Sequence, residues 1–203
     1  MSKFNGKKTN NARIDAKIVL RESILAELNH TSSVLEVFCG SGEMYSSVWS
    51  RAKKYKGIDK KKSFDERDAI CGDAYKALKL INIKEYDIFD IDSYGSPYTI
   101  LSEIIDNIGY QAKIGFVITD GTQMDLRMGR VCDGIRRLSG IESSVLKKAH
   151  LIHDKLILMI VNNICRKMGG VLQSFKIAKG VTGSGMRYYS FIVNRDSVSR
   201  VIC

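Results

Sequence analysis

Acidic residues and glycines follow two short apolar runs in this chain. The first run covers residues 34–38 and contains Glu36, and Gly40 and Gly42 come directly after it. Glycines let a turn adopt positive φ and let a ligand approach the backbone without a Cβ in the way. A carboxylate beside such a turn repels a pyrophosphate and attracts a cation. These residues favour a nucleoside-like ligand that also carries an amine or a sulfonium.

The second apolar run, residues 88–91, has acids within and around it. Asp87, Asp90 and Asp92 lie in a stretch typical of a buried strand, where a carboxylate is costly unless it is paired or functional. Tyr94 follows in a loop that ends at Pro97. Both runs suit central strands of an open α/β sheet, which binds nucleotide-like ligands at the carboxyl ends of its strands. We therefore expect Asp92 and Tyr94 at the same sheet edge as the two glycines.

Two further acids follow strands that would end at this edge. Asp59 comes about 20 residues after the glycines, where a carboxylate can bind both ribose hydroxyls. Asp73 follows a strand predicted at 69–71 and could accept a bond from an adenine amine. The alternatives are a surface acid for Asp59 and a helix N-cap for Asp73. A dinucleotide site is disfavoured because Tyr45 stands at the third glycine position of that motif.

The rest of the pattern predicts alternating helices and strands that end in a hairpin. Helices are expected over 12–29, from Glu43, over 74–80, from Pro97 with Ser96 as its cap, and over 143–167. Strands are expected at 113–120, 171–178 and 187–193, with a basic, irregular connector over 123–137. The predicted fold is one α/β domain with a seven-stranded, mostly parallel sheet whose last strand is antiparallel.

Two motifs support a family assignment. The pattern Glu36-x-Phe38-x-Gly40-x-Gly42 resembles the first motif of class I S-adenosylmethionine-dependent methyltransferases. The stretch from Asp90 to Pro97 is similar to a motif of the tRNA guanine-N2 dimethyltransferases, except that Ser93 stands where that family has proline. The resemblance implies a Rossmann-like methyltransferase fold with S-adenosylmethionine as cofactor. The residues that would bind this methyl donor are Glu36, Phe38, Gly40, Gly42, Asp59, Asp73, Ala74 and Asp90.

The same resemblance implies an exocyclic base amine as the methyl acceptor. Such an amine is a poor nucleophile because its lone pair is delocalised into the ring. A carboxylate at Asp92 can accept its N–H, and the ring of Tyr94 can stack on the base. These two residues are the predicted catalytic pair. Substrate contacts are predicted for Ser93, Pro97, Arg127 and Arg130, and no metal is required.

The composition of the chain indicates its binding partners and its cellular location. Lys and Arg total 32 against 22 Asp and Glu, a net charge of +10, which suggests a polyanionic partner, although solubility alone also explains it. We expect RNA more than DNA, and a homodimer is possible. The five cysteines have no metal-binding spacing and suit a reducing cytoplasm. Residues 1–11 read as a flexible basic tail before a single domain over 12–203. The apolar run at 156–161 is too short to span a membrane.

The sequence therefore predicts an N-methyltransferase acting on a base in RNA or DNA. Two alternatives stay open, a small-molecule methyltransferase and a non-catalytic nucleic-acid-binding protein on a methyltransferase fold. The first shares the donor site, and only the positive charge and the arginine-rich connector oppose it. Ser93 slightly favours the second, and the presence of Glu36, Asp59 and Asp73 opposes it.

Overall fold

A seven-stranded sheet forms the centre of the molecule, in the order β3-β2-β1-β4-β5-β7-β6. The structure is a computed structural model that describes residues 13–29, 32–62, 65–181 and 185–196. Strands β1 to β5 are parallel, and β7 lies antiparallel between β5 and β6. The predicted sheet and its C-terminal hairpin are confirmed. The strands are β1 Ser33–Val37, β2 Lys54–Asp59, β3 Ala69–Cys71, β4 Ile88–Asp92, β5 Lys113–Asp120, β6 Val171–Lys179 and β7 Arg187–Asn194.

Helices cover both faces of the sheet. They are α1 Ile14–Glu27, α2 Glu43–Ser47, α3 Ala74–Leu78, α4 Tyr98–Asn107, α5 Gln123–Arg127, α6 Asp133–Ser139 and α7 His153–Lys167, with short 3-10 helices at Trp49–Arg51, Ile83–Glu85 and Ala149–Ile152. Helices α1 and α2 contribute to one apolar cluster, and α3, α4, α6 and α7 contribute to the other. Alternate side chains of a strand point to opposite faces, so the central strands need apolar residues on both.

The middle of the sheet shows this alternation. Val34 and Ile88 face α1, whereas Leu35 and Phe89 face the opposite helices. The same face carries Glu36, two residues after Val34, and Asp90 and Asp92, two and four residues after Ile88. The sheet therefore directs Glu36, Asp90 and Asp92 toward α1 and α2, and this placement determines their partners.

Two local predictions were wrong. The helix expected over 143–167 begins only at His153, because residues 144–146 pair with residues 129–131 and Lys148 has a left-handed backbone at φ 58°. Ser96 does not cap α4. Its hydroxyl lies 3.2 Å from the Cys132 sulfur, and Pro97 directly precedes the helix without a side-chain cap.

Two predictions concern the ends of the chain and the membrane. The flexible tail expected over 1–11 lies outside the described residues. Within the described ranges, none of the helices combines the length and apolar character that crossing a bilayer requires.

Candidate functional site

The turn after β1, residues 38–42, has three residues with left-handed backbone. Gly40 and Gly42 have φ of 47° and 86°, and Phe38 has φ of 69°. For a residue with a Cβ this conformation costs roughly 1–2 kcal/mol. The amides of Phe38 and Cys39 both donate to the Ile58 carbonyl, at 2.8 and 3.1 Å, and hold the strained turn on β2. We call residues 38–42 the glycine turn.

Arg67 supports the glycine turn from the protein side. Its guanidinium donates to the carbonyls of Cys39 and Gly40, at 3.1 and 2.7 Å, and pairs with Asp65 at 2.9 Å. A Cβ added to Gly42 would lie 2.3 Å from the Arg67 guanidinium, and the φ of 86° also favours glycine there. A Cβ added to Gly40 would meet nothing within 4 Å. The turn is therefore packed on one side and open on the other.

Asp59 and Asp73 lie at the same sheet edge as the glycine turn. The Asp59 carboxylate accepts from the amides of Gly40, at 2.9 Å, and Lys61, at 2.8 Å, so it links the tips of β1 and β2. Asp73 caps α3 by accepting from the amides of Tyr75 and Lys76, which confirms the N-cap interpretation. Neither carboxylate is fully buried, and both retain lone pairs for a ligand.

Two other predicted donor-binding residues are buried. Ala74 lies in the core at the start of α3. Glu36 is 1% exposed, and its carboxyl accepts a 2.5 Å bond from the Tyr55 hydroxyl. Burial, together with the nearby Asp90 charge, raises the pKa of Glu36 to about 8. The side chain expected to attract a cation is therefore held largely neutral beneath the turn at neutral pH.

Asp90 belongs to a buried ion pair that no sequence pattern indicated. Arg21 of α1 donates to both Asp90 oxygens at 2.6 and 2.7 Å, and the indole N–H of Trp49 donates to Oδ2 at 2.7 Å. All three side chains are at most 1% exposed. The acids Asp90 and Asp92 raise the pKa of Arg21 against the opposing effect of burial. Asp90 therefore fixes α1 and the 3-10 helix Trp49–Arg51 to the sheet, and its carboxylate has no exposed surface.

Asp92 lies two residues further along β4, nearer the sheet edge. Its two oxygens accept from the Lys17 ammonium at 2.7 and 2.8 Å, and Arg21 lies 3.8 Å away. Burial would raise the pKa of Asp92, but the Arg21 and Lys17 charges outweigh it and lower the pKa below its usual value. Asp92 is thus an anion at neutral pH with its side chain 17% exposed. Lys17 and Arg21 are four residues apart on one helix, a spacing that indicates a shared face.

The loop from Ser93 to Pro97, which we call the β4 loop, mixes buried and exposed residues. The Ser93 hydroxyl is buried and donates to the Gly95 carbonyl at 2.9 Å, so it ties the loop internally. Pro97 is buried, whereas Tyr94 is 69% exposed. The Gly121 amide donates to the Gly95 carbonyl at 2.9 Å and joins this loop to the end of β5. Tyr94 is therefore the residue of this loop that presents a large side chain to solvent.

A second buried polar cluster lies at the end of β5. Asp120 accepts from the hydroxyls of Tyr98 and Thr122, at 2.5 and 2.6 Å, and lies 2.8 Å from His153 Nε2. Burial opposes ionisation, but the His153 contact outweighs it and lowers the pKa of Asp120. The Nδ1 atom of His153 lies 2.8 Å from Gln123 Oε1. This cluster joins α4, β5 and α7 beneath the β4 loop, and no sequence motif indicated it.

The predicted basic substrate contacts are exposed but differ in their partners. Arg130 forms an ion pair with Asp125 at 2.6 Å. Arg127 makes no ion pair with any described residue. Tyr188 and Tyr189 of β7 are buried, so strand packing accounts for them. Across the described ranges, no group of three His, Cys, Asp or Glu side chains could hold a metal ion.

These placements bring most of the predicted site to one edge of the sheet. The glycine turn, Asp59 and Asp73 lie at the tips of β1, β2 and β3, and Asp92 and Tyr94 lie at the tip of the adjacent β4. A Cβ on Gly72 or Gly95 would also meet nothing within 4 Å, so this edge has open space at the turn, beside Asp73 and beside Tyr94. Glu36, Asp90 and Ala74 lie below that surface.

No protein-family model and no curated protein sequence matches this chain. Solved structures do match. TYW2 of M. jannaschii in complex with AdoMet is 10% identical, with a TM-score of 0.57, covering 94% of this chain and 79% of that one. The plantazolicin methyltransferase BpumL, in complex with a triazolic desmethylPZN analog and SAH, is 16% identical, with a TM-score of 0.54 and coverage of 93% and 87%.

A third match is the N-methyltransferase NodS from Bradyrhizobium japonicum WM9 in complex with SAH. It is 11% identical, with a TM-score of 0.54, covering 92% of this chain and 89% of that one. At these identities the shared property is the arrangement of strands and helices. The chain therefore has the fold of the class I S-adenosylmethionine-dependent methyltransferases.

Proposed function

We propose that this protein is an S-adenosylmethionine-dependent N-methyltransferase that acts on an exocyclic base amine in nucleic acid, RNA more than DNA. Residues 12–203 form its single methyltransferase domain. One observation carries the proposal: an open glycine turn flanked by Asp59 and Asp73 lies at the same sheet edge as an ionised Asp92 and an exposed Tyr94.

The residues at this edge suit a methyl donor of this chemistry. Gly40 leaves open space for close approach, and Asp59 and Asp73 have lone pairs for ribose hydroxyls and the adenine amine. Phe38 is the first residue of the turn, and Gly42 leaves room for the supporting Arg67. When bound, S-adenosylmethionine supplies a methyl group already activated by its sulfonium. Glu36, Asp90 and Ala74 support the site from below rather than by contact.

Asp92 and Tyr94 are the proposed acceptor residues. Each Asp92 oxygen accepts one bond from Lys17 and retains a lone pair for the N–H of the incoming amine. Its negative charge favours proton loss as the amine nitrogen bonds to the methyl carbon and the carbon–sulfur bond breaks. Tyr94 stacks on the base, Pro97 and the Ser93 hydroxyl hold the loop, and Arg127 and Arg130 contact phosphates. Positioning supplies most of the rate acceleration.

The test is methyl transfer from radiolabelled S-adenosylmethionine to total RNA and to DNA, followed by nucleoside analysis. We expect label on a base nitrogen. Asp92→Ala removes transfer but leaves donor binding within about threefold by calorimetry, whereas Asp133→Ala, at an exposed aspartate on α6, changes neither. Full transfer by Asp92→Ala would show that Asp92 is not the acceptor residue.

A second candidate is a methyltransferase acting on a small molecule. It is favoured by the match to BpumL, whose structure holds a triazolic desmethylPZN analog and covers 93% of this chain. Transfer to metabolite or peptide extracts without transfer to nucleic acid would support it. The non-catalytic alternative is favoured by the ion pair with Lys17, which occupies the Asp92 carboxylate. Absence of donor binding would support this alternative. The cytoplasmic location and the homodimer stay predictions.

A further inference from the structure

Exposed cations and apolar side chains share one surface beside the β4 loop. On α5 and the turn after it, Met124 and Met128 are 59% and 60% exposed, and Arg127 is exposed between them. In the neighbouring segment Leu151 is 70% exposed. We call this the α5 surface and define it by Met124, Arg127, Met128, Lys147, Lys148 and Leu151.

Backbone contacts make the α5 surface one continuous unit. The Leu146 amide donates to the Gly129 carbonyl and the Val131 amide to the Ser144 carbonyl, both at 2.8 Å. The 3-10 helix Ala149–Ile152 packs against α5. Residues from two segments some twenty positions apart in the chain therefore present their side chains together.

The surface also borders the proposed acceptor site. Helix α5 begins two residues after Gly121, whose amide is bonded to the Gly95 carbonyl next to Tyr94. A Cβ on Gly121 would lie 2.7 Å from the Tyr94 carbonyl, so the two loops are in direct contact. A chain that crosses the α5 surface can therefore continue onto the exposed Tyr94 ring.

The cations of the α5 surface differ from the other basic residues nearby. Arg130, Arg136 and Arg137 form ion pairs with Asp125, Asp133 and Asp106. By contrast, Arg127, Lys147 and Lys148 are exposed and form no ion pair with any described residue. The Lys148 backbone also has a φ of 58°, a conformation that residues other than glycine seldom adopt. Their charges have no counterpart within the described protein and are complementary to a polyanion.

We propose that the α5 surface binds a single-stranded segment of the nucleic acid whose base is methylated, an inference that rests on the proposed function. Phosphates pair with Arg127, Lys147 and Lys148, and unstacked bases lie against the two methionines and Leu151. A single strand has exposed base faces that can contact apolar side chains, whereas a duplex buries them. The combination of cations with exposed apolar side chains therefore favours a single strand over a duplex.

The test measures binding without catalysis. Fluorescence anisotropy of a labelled 20-nucleotide single-stranded RNA is recorded with the wild type and with the triple variant Arg127→Ala, Lys147→Ala, Lys148→Ala. The matched control is Lys79→Ala, Lys84→Ala, Lys113→Ala, which removes three exposed cations at the opposite edge of the sheet. Both variants lower the net charge equally. Calorimetry of S-adenosylmethionine binding is run on all three proteins.

We expect the α5 triple variant to bind RNA on the order of 100-fold more weakly at low salt. The slope of log K against log salt concentration should fall in magnitude by about 2, because each lost phosphate contact removes roughly 0.7 from it. The control variant should stay within about threefold of wild type. Met128→Gln should weaken binding at high salt more than Leu80→Gln, a change at another exposed apolar residue.

Equal losses in the two triple variants would overturn the proposal, because only overall charge would then matter. Tighter binding to duplex than to single strand, or binding to anionic vesicles without binding to RNA, would also overturn it. If the wild type does not bind S-adenosylmethionine, the proposed function is contradicted. The RNA-binding result would still decide the role of the α5 surface.

Discussion

Carboxylates in this protein differ in charge because their neighbours differ. Glu36 is buried close to the Asp90 charge, and these two effects raise its pKa to about 8 even though the Tyr55 hydroxyl donates to it. Asp92 is also largely enclosed, but two cations lower its pKa. Of these two acids on the same face of the sheet, one is therefore kept mainly neutral and the other ionised at neutral pH. The ionised one lies nearer the site.

The raised pKa of Glu36 predicts a pH-dependent stability. In the folded state Glu36 keeps its proton up to about pH 8, whereas an unfolded glutamate loses it near 4.5. The folded state therefore binds more protons between these values, and stability falls as pH rises, by at most about 1.4 kcal/mol per pH unit. Glu36→Gln should remove most of this slope when unfolding by urea is followed from pH 5 to 8.

The control for this measurement is Glu142→Gln, at an exposed glutamate, which should leave the slope unchanged. A wild-type protein equally stable at pH 5 and pH 8 would show that Glu36 ionises normally.

The ion pair between Lys17 and Asp92 predicts strong coupling between the two residues. Lys17→Met and Asp92→Leu each leave a charge in a poorly hydrated site and should each cost about 3 kcal/mol of unfolding free energy. The double variant removes both charges and should lie within about 1 kcal/mol of wild type in chemical denaturation. Additive losses would show that the pair contributes little. The same cycle with Arg13→Met and Asp15→Leu, an ion pair at the surface, should show no strong coupling, because water screens it.

Among the elements, short helices position the site because they pack closely on their neighbours. Helix α6 lies against the start of α4, where the backbone of Gly134 meets the backbone of Tyr98 and Thr99. Helix α4 begins directly after the β4 loop, and Tyr98 donates to Asp120 beneath it. The direction of the β4 loop therefore depends on how closely these two helices approach.

A Cβ at Gly134 would lie 2.5 Å from the Thr99 amide nitrogen, and backbone atoms cannot move aside as a side chain can. Gly134→Ala should lower the unfolding free energy by roughly 2–3 kcal/mol and reduce methyl transfer, because α4 and the loop shift. Thermal unfolding measures the first effect. Gly72→Ala, where a Cβ would meet nothing within 4 Å, should change stability by less than about 1 kcal/mol. A Gly134→Ala protein as stable as wild type would contradict this packing.

For the whole molecule, the strand order determines which residues can act together. Residues from β1, β2, β3 and β4 meet at one edge because β2 and β4 flank β1 and all four strands run in parallel. Asp59 joins two strand tips, and in the proposed function its carboxylate also binds the ligand. Binding of a ligand at this edge should therefore stabilise the whole fold.

S-adenosylhomocysteine at 100 times its Kd should add about 2.7 kcal/mol to the unfolding free energy and raise Tm by roughly 5–10 °C. Asp59→Asn keeps one hydrogen-bond acceptor but removes the charged carboxylate that is proposed to bind the ribose hydroxyls. It should reduce the ligand-induced shift in Tm by more than half at the same ligand concentration. Asp68→Asn, at an acid exposed just before β3, should leave the shift unchanged. No shift in the wild type would show that the donor does not bind.

Residue patterns along the chain were enough to predict the sheet, its hairpin and the edge on which Gly40, Asp59, Asp73 and Asp92 lie. Strand burial and glycine turns are local properties, and parallel strands necessarily end on a common edge. The partners of these residues were not predictable, because they depend on distant segments. Lys17 and Arg21 reach Asp92 and Asp90 across about seventy positions, His153 reaches Asp120 across about thirty, and residues 144–146 leave their helical pattern to pair with residues 129–131. Charge state and exposure follow from such contacts, so only the folded chain decides that Glu36 is buried and mainly neutral while Asp92 is ionised.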